Sequence, residues 1–209
     1  MEVIESLKFH EKNEMDSWYD LSEKESRKFL KELVKYTNKN PTEIEQYCIN
    51  TIPSEYSSLS IIYEALSEYS NRWNSILLNE IKRVVTLAKN NSIKPEVLDI
   101  LTDIETEDIY SKDEEIYIEI LNFLTTNLEL NNNPKFNIEL LEVIDWFLID
   151  LDEDDDINES ENWFKAIEVL AINGDSIVKS KAQKVVNSNE FEKSLPTTSF
   201  MDRLKSLFK

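Results

Sequence analysis

The stretch RWNSILLNEIKRVVTLAK, residues 72–89, decides the fold class. Trp73, Ile76, Leu77, Ile81, Val84, Val85 and Ala88 recur at steps of three and four. That period gathers side chains on one side of an α-helix and on neither face of a strand. Upstream, residues 58–70 repeat the pattern with Leu59, Ile62, Tyr63, Leu66 and Tyr69. Further back, Ser22 and Glu25 fit a capping box ahead of Phe29, Leu30, Leu33 and Val34. Pro41 suits the first turn of a helix carrying Ile44, Tyr47 and Cys48. Residues 1–20 give no single reading.

Downstream, Asn90-Asn91-Ser92 ends the run. A fifth helix is expected from Pro95, with Val97, Leu98, Leu101 and Ile104, and a sixth over residues 112–127, with Ile116, Ile120, Phe123 and Leu124. A loop at residues 131–134 precedes a seventh, with Leu140, Leu141, Ile144, Phe147 and Leu148. An eighth carries Trp163, Phe164, Ile167 and Leu170; Asn173-Gly174 caps it and turns into a ninth. The third, fifth and seventh helices start roughly every 37–40 residues, a spacing that suggests stacked pairs. The expectation is an all-α fold of stacked antiparallel helix pairs, HEAT- or armadillo-like, or else an irregular helical bundle. Residues 1–190 would form one domain. Residues 191–209 would be a linker and an amphipathic helix, with Phe200, Leu204, Leu207 and Phe208 on one face.

One glycine in 209 residues argues against P-loop and dinucleotide folds, which need several. One cysteine excludes an internal disulfide and a multi-cysteine zinc site. Cys48 sits on an apolar stripe and reads as a structural thiol. His10 is the only histidine and lies near a terminus expected to be mobile, so no Ser-His-Asp triad or two-histidine metal centre is expected within one chain. No cofactor and no catalysis are expected. The first residues lack the basic and apolar runs of a leader, and no window is long and apolar enough to span a membrane. A cytoplasmic protein is the expectation.

Charge is the strongest functional signal. Residues 99–161 hold 21 of the 42 acidic residues but only two of the 23 basic ones, Lys112 and Lys135. The whole net charge of −19 therefore resides there. Such a surface disfavours nucleic acid and anionic lipid and suits a basic protein, whose approach it would steer. The candidate binding residues are Asp108, Tyr110, Asp113, Glu114, Asp145, Asp150, Asp152, Asp154, Asp155, Asp156 and Glu159, with Tyr110 as an exposed loop aromatic. Asp99, Asp103, Glu105, Glu139 and Glu142 belong to the same wider segment. Asp150, Asp152, Asp154 and Glu161 also fall at calcium-loop spacing, although Asp155 stands where a glycine normally turns the chain. Calcium binding is one alternative reading, and a HEAT-like scaffold or adaptor working through apolar surfaces is another.

A small, acidic, cysteine-poor helical chain with this acidic segment and the run at residues 150–156 resembles immunity proteins of bacterial toxin–immunity systems, including contact-dependent growth inhibition. The resemblance is compositional and covers under a third of the chain. It implies a cognate basic toxin, often a nuclease, neutralised by an acidic face, and it assigns no residue by position.

Overall fold

A computed structural model describes residues 3–70, 75–130, 133–149 and 160–188. Among them are eleven α-helices and one 3₁₀ helix, and no strand. The fold class is all-α, as the periodicity requires.

The ambiguous N-terminus forms α1 (Val3–Lys12) and a single turn, α2 (Asp16–Tyr19). His10 is buried rather than loose. Its ring stands edge-on to Trp18 and Phe29, and Nδ1 lies 2.9 Å from the Ser17 hydroxyl. Burial lowers its pKa. Between the two helices Glu14 takes φ 50°. There the Met15 N–H reaches the His10 carbonyl and the Glu14 N–H the Glu11 carbonyl, the two bonds of a Schellman cap.

Helix α3 (Glu23–Lys39) starts at the expected capping box: the Glu25 carboxylate accepts from the Ser22 N–H (3.1 Å) and from its hydroxyl. Helix α4 (Pro41–Asn50) follows directly, then α5 (Leu59–Glu68) and α6 (Ser75–Lys89). Asn91 (φ 55°) ends α6, with the Ser92 N–H bonded to the Leu87 carbonyl. In a chain with one glycine, Asn supplies the left-handed cap because it tolerates that region better than most residues.

Residues Pro95–Asp103 form a 3₁₀ helix, not the expected α-helix. Three residues per turn put Leu98, Leu101 and Ile104 on one edge, all buried, and Glu96 and Asp99 on another, both exposed. Then come α7 (Thr106–Lys112), α8 (Glu114–Thr126), α9 (Pro134–Leu148), α10 (Ser160–Asn173) and α11 (Ser176–Ser188). Asp113 caps α8 by accepting from the Ile116 N–H, and Asp175 caps α11 by accepting from Ile177 and Val178. Gly174 lacks the positive φ of a left-handed cap. It is needed for space: a Cβ there would stand 2.6 Å from the Leu170 carbonyl oxygen.

Packing arranges the helices in two rows. One runs α3, α5, the 3₁₀ helix, α9, α11; the other runs α4, α6, α8, α10. Members of the first row start at residues 23, 59, 95 and 134, so the recurring spacing marks neighbours in one layer. Between the rows lies a core from Leu7 to Val186 that includes Trp163, Tyr63, Tyr117, Phe136 and Phe147. Each such large side chain contributes roughly 1.5–3 kcal/mol on burial. Residues 189–209, with the expected tail helix, lie outside the described residues.

Candidate protein-docking face

Three neighbours of the first row meet at the residue pair Ile104 and Glu105. From α5, the Ser67 hydroxyl accepts the Glu105 N–H at 3.0 Å. From α9, the Trp146 indole N–H donates to the Ile104 carbonyl at 2.9 Å. Lys112 Nζ donates to the carbonyls of Ser67 (2.5 Å) and Glu68 (3.2 Å), satisfying the C-terminus of α5. These bonds fix the end of the 3₁₀ helix between α5 and α9.

The same junction crowds carboxylates. Burial, then Glu68, Asp103 and Glu105, push Glu64 up to about 7. Asp103 still reaches solvent, yet the protein around it, then Asp99 and Glu105, raise it to about 6. On α9, burial and then Glu142, Glu96 and Asp99 raise Glu139. One acidic ridge thus runs from α5 across the 3₁₀ helix to α9. Each charge raises the cost of ionising the next.

Its edges are compensated and its centre is not. Glu96 pairs with Lys135 at 2.6 Å and Glu142 with Lys181 at 3.1 Å. Among the described residues, Glu64, Asp99 and Asp103 have no ion-pair partner. Two aromatics border this bare centre. Tyr19 is 70% exposed, and its phenol is raised by partial burial and then by Asp103 and Glu64. Trp146 is 37% exposed, held by the hydrogen bond to Ile104. Large aromatic faces beside carboxylates suit lysine and arginine side chains, which gain from both.

The residues singled out from sequence divide. Glu114 is exposed at the start of α8. Asp108 is half-buried and 3.7 Å from Lys112. Asp113 serves as the α8 cap, and Asp145 accepts from the Ser188 hydroxyl at 3.0 Å. Tyr110 corrects an expectation: it is in α7, half-buried, and packs edge-on against Tyr117 at 5.2 Å. A residue four after Thr106 on a short helix turns inward with Ile109, so loop exposure was the wrong inference. Asp150, Asp152, Asp154, Asp155, Asp156 and Glu159 lie outside the described residues, and with them most of the calcium-spaced set. Its last member, Glu161, sits in the first turn of α10 and pairs with Lys165 at 2.8 Å. Among the described residues no cluster of His, Cys, Asp and Glu could hold a metal ion.

Sequence reasoning missed Glu64, Glu68 and Tyr19, which lie outside the charge-biased segment. A signal did exist: Glu64 and Glu68 are four apart on the polar side of α5.

Cys48 is fully buried, and burial pushes its thiol well up. It lies near a second buried polar group that composition did not reveal. The Glu80 carboxylate accepts from Arg83 (2.7 and 2.8 Å) and from the Tyr63 hydroxyl (3.2 Å). Glu80 stands four residues from both Ile76 and Val84, on the apolar side of α6, which was its signature in the sequence. With every carboxylate oxygen engaged, this group fastens α5 to α6. No protein-family model, curated protein or solved structure matches this chain.

Proposed function

We propose that this chain is a non-catalytic binding protein that holds a basic protein against the ridge formed by α5, the 3₁₀ helix and α9. The supporting observation is the centre of that ridge, where Glu64, Asp99 and Asp103 crowd together with no ion-pair partner among the described residues, although burial and then neighbouring carboxylates raise the pKa values of Glu64 and Asp103. Mutual repulsion costs stability, and a cationic partner relieves it. Tyr19 and Trp146 supply the anchors, and the ion-paired edges supply a rim. In the finer reading, the chain is an immunity or inhibitor protein whose partner is a basic toxin, a nuclease being the natural case. A surface built to grip phosphates would fit this ridge as well.

The test compares wild type with a Glu64→Gln, Asp99→Asn, Asp103→Asn variant and a second variant neutralised at Asp150, Asp152, Asp154, Asp155 and Asp156. Both are used to retain proteins from the host lysate at rising salt. The ridge reading expects one basic protein, held by wild type, released by salt and lost from the first variant. Retention unchanged in the first variant and lost in the second would move the site to the acidic run. Retention unchanged in both would refute an acidic docking face.

A further inference from the structure

Helix α3 carries the opposite charge. Lys24, Arg27, Lys28, Lys31 and Lys35 fall at i, i+3, i+4, i+7 and i+11, which places them on one side of the helix. All five are exposed, while Leu30, Leu33 and Val34 face the core. Arg27 pairs with Glu23 at 2.6 Å, and Lys28 lies 3.9 Å from Glu32. Lys31 sits over the Tyr69 ring, 5.3 Å from its centre. Among the described residues Lys24 and Lys35 have no ion-pair partner. A chain of net charge −19 therefore keeps a basic stripe at one end of the row that holds its acidic ridge.

We propose that this stripe docks on the acidic ridge of a second copy of the chain, head to tail. The two patches are opposite in sign and matched in length. From Lys24 to Lys35 the stripe spans about 16 Å, at 1.5 Å per residue. The ridge crosses three adjacent elements, or two steps of 8–10 Å, about 16–20 Å in all. The contact joins different patches, so each end of a pair keeps one unused patch and further copies can add. The inference rests on the ridge being an accessible docking face, and a basic partner would displace the second copy from it.

Two electrostatic effects of different range oppose each other here. At about 0.01 M salt the screening length is roughly 30 Å, and the net charge of each copy repels the other as a whole. At about 0.1 M it falls to about 10 Å, so the local match between stripe and ridge dominates. At about 1 M it is roughly 3 Å, and the match is screened as well. Self-association should therefore peak at intermediate salt, a profile that apolar contact does not give.

The experiment is sedimentation velocity of the full chain at these three salt concentrations. Wild type should show its largest average mass near 0.1 M and return toward monomer at both extremes. A Lys24→Glu, Lys28→Glu, Lys35→Glu variant and an Asp99→Lys, Asp103→Lys, Glu139→Lys variant should each stay monomeric. Mixed in equal amounts they should associate and at least double the mass, because one contact is then restored with reversed signs and the other pairs the two unaltered patches. A wild type monomeric at all three salts overturns the proposal, and so does association that the stripe variant retains. A monomeric wild type that retards duplex DNA through the stripe overturns it in favour of a polyanion. The stripe variant should still retain the basic partner. Loss of self-association without loss of that binding separates this inference from the proposed function.

Discussion

Replacing Glu64 with Gln tests the crowding of the acidic ridge directly. The Glu64 carboxyl is raised from 4.5 to about 7. At 1.36 kcal/mol per pH unit this corresponds to roughly 3 kcal/mol of unfavourable interaction in the ionised form. Glu64 is half-buried and shares its field with Asp103, so solvent and coupling reduce this to about 2 kcal/mol. A carboxyl whose folded pKa lies above its unfolded value favours folding when protonated. Its contribution is complete below about 4.5 and is lost as pH rises through about 7. At pH 8 the amide should therefore stabilise the chain by about 2 kcal/mol, or roughly 4–8 °C in Tm for a protein of this size. At pH 5 the wild-type carboxyl is already protonated in the fold, and the two proteins should melt within about 2 °C of each other. Thermal melts of both proteins at pH 5, 6, 7 and 8 read the difference. An equal shift at every pH would mean a packing effect. A variant less stable at pH 8 would refute the crowding argument.

Two further outcomes concern the packing of the fold. Arg83→Ala should destabilise by about 3 kcal/mol in urea titrations, because Glu80 would remain buried without its cation; the triple change Glu80→Leu, Arg83→Met and Tyr63→Phe, which also removes the buried hydroxyl that donates to Glu80, should fall within about 1 kcal/mol of wild type, and a larger loss would mean that the group is worth more than its desolvation. Gly174→Ala should cost about 1–3 kcal/mol, since the new Cβ would stand 2.6 Å from the Leu170 carbonyl oxygen and the α10–α11 turn must shift; an unchanged urea midpoint would contradict that close approach.

Much of the fold was legible because helical periodicity and capping are local. Ser22 and Glu25, Pro41, Asn91 and Pro134 mark helix ends with groups that act within a few residues, and each stands at the boundary its chemistry demands. The 3₁₀ helix was not legible. Leu98, Leu101 and Ile104 fit both a three-residue and a 3.6-residue repeat over so short a run, and packing between α5 and α9 selected the tighter one. Tyr110 and His10 were misplaced for a related reason: a short helix or a terminus has too few positions to define a face, so neighbours distant in sequence decide burial.

The sequence by itself determined the class of the fold and the presence of a strong acidic bias, since period and charge are carried by each segment separately. It could not determine which acids would meet. Glu64 and Glu68 lie outside the segment that carries the net charge, and Asp113 and Asp145 are engaged in hydrogen bonds despite belonging to it. Only the stacking of α5, the 3₁₀ helix and α9 turned separate carboxylates into one ridge. The physical reason is range: a cap or a stripe acts over a few residues, whereas charge acts over several ångströms of space, and only the tertiary fold sets those distances.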